Sequence, residues 1–206
     1  MTDAFALLAE PRLPWLDTEA LKERFRALSN DAHPDRFHGA GETERAAANS
    51  RYAELNSAYQ TLRESKDRLL HLYQLEAGHP PKDIQRSPPG TMDLFVEIGQ
   101  ICRDCDGHLA QQTGVTSPML KLKALQAGLD WTEKLLTLQR QVNARRDQLQ
   151  TELRDLNAVW TSAPPVDSPT RAPALPLERL EQIYRTLSYT TRWTEQLQER
   201  LVQLAM

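Results

Sequence analysis

Apolar residues recur at near-heptad spacing over almost forty positions of this chain, at Leu122, Leu125, Leu129, Leu136, Leu138, Val142, Leu149, Leu153, Leu156 and Trp160. A row that repeats every three to four residues cannot share one face of a strand, where the period is two. It dictates a helix from Ser117-Pro118 to about Trp160, with proline at the first helical position, where its missing N–H is no loss. Such a seam needs partners, and both neighbours supply one. Thr91 caps a helix to about Gln112, whose Leu94, Ile98, Ile101, Cys105 and Leu109 form a seam with Phe95 and Cys102 beside it. A last helix, Leu177 to Leu204, uses Leu180, Tyr184, Leu187, Leu197, Leu201 and Leu204. Three helices with apolar seams and short or proline-rich connections predict an antiparallel three-helix bundle over residues 91–206. The break from Ser162 to Pro176 is expected to be a mobile loop.

The rest of the chain is helical too. Glycine is scarce, at 8 residues, and Val and Ile are few beside Leu, Gln, Glu, Arg and Ala, so the whole chain reads as all-α. Residues 79–90 hold two Pro-Pro pairs and few apolar side chains, which predicts a stiff linker and an amino-terminal domain over residues 1–78. In that domain Asp3 to Leu8 form one or two helical turns. Asp17 caps a helix from Thr18 to Ala32, with Leu21, Phe25 and Leu28 on one face. A further helix runs from Thr43 to about Arg63, with Ala48, Tyr52, Leu55, Ala58 or Tyr59, and Leu62 inside. A last one spans Asp67 to Leu75. Between the second and third lies His33-Pro34-Asp35-Arg36-Phe37. Proline lacks a backbone N–H and pushes its predecessor out of the helical region. His33 and Asp35 are therefore presented on a stiffened loop at one end of an antiparallel helical hairpin.

The loop and its flanks resemble the J-domain of HscB-type co-chaperones, which serve iron–sulfur cluster assembly. The residues that carry the resemblance are Phe5, Leu16-Asp17, Leu21, Phe25, Leu28, His33-Pro34-Asp35-Arg36-Phe37 and Leu55-Asn56-Ser57-Ala58-Tyr59-Gln60-Thr61-Leu62-Arg63, with the spacing to Arg68. It implies docking on the ATP-bound state of a DnaK/HscA-type chaperone and stimulation of its ATPase. His33, Pro34 and Asp35 would engage that chaperone, with Lys22, Arg26 and Arg36 as the basic face beside them. Two positions depart from the pattern. Ala32 stands where an aromatic usually precedes the motif, so packing is lost there. Asp31 replaces a residue that is often basic and weakens the positive face.

The carboxy-terminal domain of the family holds an IscU-like cluster scaffold. By position, that implies client contacts at Leu94, Phe95, Ile98 and Tyr189. The acidic residues that usually flank this face fall on Gly99 and Cys102 and are missing, with Glu97 and Asp104 as partial substitutes. Ile98 is equally placed to be bundle core. Cys102-Arg103-Asp104-Cys105 with His108 has metal-ligand spacing, but no second Cys/His pair completes a structural zinc set. Two cysteines on an apolar seam behave as small hydrophobes. No Ser/His/Asp set, paired carboxylates or phosphate-binding glycine loop stands out, so no enzyme activity, cofactor or metal is expected.

A net charge of −3 gives no footprint for nucleic acid. No apolar run approaches the ~20 residues of a membrane span. The amino terminus lacks a signal-peptide pattern, and the two cysteines fit a reducing cytoplasm. Three alternatives remain open: a J-domain protein with another client, a coiled-coil scaffold with a degenerate J-domain, and a small metal or redox protein built on Cys102 and Cys105.

Overall fold

The computed structural model describes residues 2–37, 39, 41–82, 90–112 and 117–205. Most of the expected linker, residues 83–89, lies outside the described residues. Among the described residues eight α-helices follow in order: α1 Ala4–Leu7, α2 Thr18–Asp31, α3 Glu42–Arg63, α4 Ser65–Ala77, α5 Met92–Gln112, α6 Pro118–Ser162, α7 Arg171–Ala174 and α8 Leu177–Leu204. A 3-10 turn, Pro34–Phe37, separates α2 from α3. The fold is all-α, and no strand occurs among the described residues.

The contacts divide the chain into two compact units, Met1–Asp83 with Gln150–Tyr184, and Ile84–Leu149 with Arg185–Met206. This division differs from segments cut at the proline-rich linker. The reason is the length of α6, whose 45 residues span about 68 Å at 1.5 Å per residue. One end of α6 belongs to each unit, and α8 is shared in the same way.

The first unit is organised around α3. Asp3 accepts hydrogen bonds from the amides of Phe5 and Ala6, which starts α1 and lets Phe5 and Leu8 be buried. His71 Nε2 accepts from the amide of Ala4 at 3.0 Å, so another of the orphan donors of this helix is satisfied from α4. Asp17 caps α2 through the amides of Glu19 and Ala20. Phe25 stacks on Tyr59 with ring centroids 4.4 Å apart. His33 at the far end of α2 meets Tyr52 of α3, so the two helices run antiparallel. Arg68, buried on α4, donates to the carbonyls of Pro14 at 3.0 Å and Leu62 at 2.6 Å, and to Ser65 Oγ at 3.0 Å. It thereby satisfies a carbonyl at the end of α3. Burial brings its pKa down to about 10.

The distal part of α6 packs into the same unit. Asn157 accepts from the Trp15 amide at 3.0 Å and donates to the Trp15 carbonyl at 2.9 Å. Gln150 donates to Ser65 Oγ, and the Arg154 guanidinium lies 4.6 Å from the Trp15 ring centroid. The proline-rich break after α6 is not a mobile loop. It contains α7, where Arg171 forms a buried two-pronged ion pair with Glu76 of α4 at 2.8 and 2.9 Å and also donates to the carbonyl of Pro164. Sequence periodicity could not show this anchor, because the two partners are 95 residues apart.

The second unit is a three-helix bundle of α5, the proximal part of α6 and the distal part of α8. His108 of α5 meets Trp131, and Gln139 of α6 meets Gln198. Phe95 meets Tyr189 and Asp106 pairs with Arg200, so α5 and α8 run parallel and α6 runs against both. The core holds Ile98, Cys102, Cys105, Leu135, Leu138, Val142, Trp193 and Leu197.

Candidate functional site

The end of α2 makes the first candidate site. The amide of Ala32 closes the helix on Leu28, and that of His33 reaches the carbonyl of Asn30 at 3.4 Å. Pro34 cannot extend the helical hydrogen bonds and opens the 3-10 turn instead. The amide of Arg36 donates to the His33 carbonyl at 3.0 Å, which closes the turn. Asp35 is carried outward, its side chain 91% exposed.

His33 is half-buried against the edge of Tyr52, at 5.3 Å and 81°. Its Nδ1 faces two groups of Asp35. It accepts from the Asp35 amide at 3.3 Å and lies 3.6 Å from Oδ2. A neutral ring holds the backbone of Asp35 through that amide, and a protonated ring has the carboxylate within reach. Either way the imidazole fixes the direction in which Asp35 leaves the turn. Tyr52, which holds the imidazole, was legible in the sequence only as an apolar-face residue of α3. Its role here depends on the hairpin closing.

The basic face is smaller than the sequence implies. Lys22 pairs with Glu19 at 3.2 Å, and Arg36 pairs with Asp31 at 3.2 Å while reaching the Asn30 carbonyl. Arg24 faces Glu10 at 3.7 Å. Arg26 is exposed and has no ion pair among the described residues. Ala32 borders an open cleft of about 540 Å³ together with Leu28, Phe37, Ala47, Ala48 and Leu55.

The second candidate site lies on the three-helix bundle. Phe95 is 45% exposed and stands edge-on to the half-buried Tyr189, with ring centroids 6.4 Å apart. Tyr189 in turn rests on Trp193 at 5.8 Å. Met92 and Val96 are exposed beside Phe95, so an apolar patch results. Leu94 is partly buried and packs against the core. Ile98 does not belong to this surface. It is 1% exposed and sits among the core residues, because its place on the seam points it between the helices.

Gly99 and Cys102 supply no acidic flank beside Phe95 and Tyr189. Asp130 and Glu133 face Glu97 across a cleft of about 460 Å³ that Ile101 and Lys134 also line. The sequence alone does not bring these two carboxylates to Glu97, since only the α5–α6 pairing does.

Cys102 and Cys105 are buried in the core, and burial raises the pKa of both thiols. His108 packs on Trp131. Among the described residues no group of three or more His, Cys, Asp or Glu is arranged to hold a metal ion. Nor is any described helix long and apolar enough to cross a membrane.

No family model matches the sequence. Solved structures do match. Chaperone HscB from Vibrio cholerae superposes with a TM-score of 0.65 at 21% identity, over 98% of this chain and 99% of that chain. Human co-chaperone protein HscB superposes with a TM-score of 0.59 at 19% identity, over 97% of this chain and 82% of that chain. The chain has the HscB fold along nearly its whole length.

Proposed function

We propose that this protein is a J-domain co-chaperone that stimulates the ATPase of a DnaK/HscA-type chaperone and delivers to it an IscU-like iron–sulfur scaffold. One observation carries the reading. An outward carboxylate, Asp35, stands on a rigid turn at the end of a helical hairpin, within a fold that superposes on two HscB proteins.

In this reading residues 1–78 are the J-domain. Asp35 offers its charge to a basic group of the ATP-bound chaperone and draws that group out of an internal ion pair, which biases the chaperone toward hydrolysis. His33 sets the direction of Asp35, and Pro34 stiffens the turn. Lys22, Arg26 and Arg36 steer encounter with an acidic chaperone surface, a role that governs rate and orientation more than affinity.

The bundle end of the molecule carries the client. Phe95 and Tyr189 are its aromatic anchors and Leu94 supports them, with Glu97 and Asp104 as partial acidic substitutes on the same helix. A pull-down with the full chain as bait tests the assignment. Recovery of both a DnaK-type chaperone and a cluster scaffold is the expected outcome. Recovery of the chaperone with a different client retains only the J-domain half, and recovery of neither contradicts the whole.

A further inference from the structure

The strap between α6 and α8 is fastened by one side chain. Every residue from Ala163 to Ala174 is described, and Arg171 alone among them is buried. Val166, the largest apolar side chain of that stretch, is 47% exposed. A strap without apolar packing gains little from the hydrophobic effect that fixes the helices around it. What holds it is the two-pronged pair of Arg171 with Glu76 of α4, together with the bond from Arg171 to the Pro164 carbonyl at 2.7 Å. The two charged side chains are 8% and 2% exposed, so neither charge is left to water.

Glu76 stands in an unfavourable place for its charge. It lies in the last turn of α4, where the helix carries partial negative charge and a cation is favoured. No basic residue of α4 occupies that turn. Arg171 supplies the cation from the strap instead. Two residues on, Gly78 closes α4 in the left-handed conformation, with a φ of 76° and its amide donating to the Gln74 carbonyl at 3.0 Å. From there the chain enters the proline-rich segment at His79. Lifting the strap strands a carboxylate at the negative end of a helix, and a buried charge without its partner is strongly destabilising. The strap and the last turn of α4 are therefore coupled, although they are far apart in sequence.

We propose that the strap is a latch. It is closed in the native state and opens as a unit about the Arg171–Glu76 pair, without unfolding of α6 or α8. Its closure holds the last turn of α4, and with it the point at which the chain leaves that helix. The inference is independent of the chaperone reading.

Native-state hydrogen exchange of the full chain tests it. In the closed strap the amides of Ser168, Arg171 and Leu175 donate to the carbonyls of Pro165, Ser168 and Ala172, so their exchange reports opening. In the wild type this exchange is expected to be insensitive to low urea, because a local opening exposes little surface. Arg171→Met removes the cation and should speed exchange about tenfold or more, both in the strap and at Leu75, Glu76 and Ala77. Glu76→Gln keeps the shape but strands no charge on α4. It should speed exchange in the strap, and trypsin cleavage after Arg171 with it, while leaving the end of α4 slow. Strap amides that exchange only with α6, and with its urea dependence, overturn the proposal. So does an Arg171→Met variant with wild-type exchange, a variant that speeds exchange evenly through α4, α6 and α8, or an end of α4 that responds alike to both substitutions.

Discussion

Asp35 and His33, two residues apart on the turn after α2, differ in how far the sequence alone places them. The exposed carboxylate follows from proline chemistry, and the sequence alone places it. The ring that directs it does not follow in the same way. His33 is held by Tyr52, nineteen positions along the chain, and only the closed hairpin brings the two together. His71 is a second case, since its sequence context suggests nothing beyond packing. Its Nε2 accepts the Ala4 amide, which requires an unprotonated nitrogen, and burial lowers its pKa. A histidine whose folded-state pKa lies below its unfolded value binds fewer protons when folded. Its contribution is therefore complete above the ordinary histidine value of about 6.5 and is lost as pH falls through that value toward the lower, folded-state pKa. Urea unfolding at about pH 8 and about pH 5 should show the wild type losing more stability than His71→Gln over this window. Equal pH dependence of the two proteins would remove His71 from the account.

Among the elements, α2, α3, α5, α6 and α8 were legible because periodicity, caps and prolines agree on their limits, whereas α7 was not, since it lies in a proline-rich break. Capping by Asp17 and the proline start of α6 fall where the sequence puts them. What periodicity does not carry is long-range polar pairing. Arg68 enters the sequence analysis only through its spacing from the preceding helix, and nothing there shows that it is buried against the Leu62 and Pro14 carbonyls. Arg68→Met leaves those carbonyls without a donor and should cost roughly 3 kcal/mol of stability, measured by denaturant midpoint at constant m-value. Pairing of Lys22 and Arg36 with Glu19 and Asp31 likewise alters the charge that α2 presents. Reversal of Lys22 and Arg26 to Glu should weaken chaperone docking, and added salt should reproduce part of the loss, because exposed charges are screened beyond about 8–10 Å. Docking that ignores both salt and charge reversal would assign the contact to apolar groups.

At the scale of the whole molecule, the sequence distinguishes a proline-rich boundary but not the sharing of α6 and α8 between two units. Heptad spacing describes a helix without saying which neighbour each turn meets. The same limit explains Ile98, whose place on the seam fits either core or client surface until the bundle is closed. Phe95 and Tyr189 meet edge-on across α5 and α8. Phe95→Ala and Tyr189→Ala should each weaken scaffold binding at least tenfold, about 1.4 kcal/mol, in titrations of the purified scaffold. Thermal melts separate this from loss of fold, and neither change should alter stimulation of the chaperone, which the proposed function assigns to residues 1–78. The central claim is that the turn after α2 activates a DnaK-type partner through one charge. Its most direct test is single-turnover ATP hydrolysis by the purified chaperone with wild type or Asp35→Asn. The substitution keeps the shape of an exposed side chain and should preserve the fold. The account predicts clear stimulation by the wild type and none by Asp35→Asn at equal concentration; equal stimulation by the two proteins, or none by either, would contradict it.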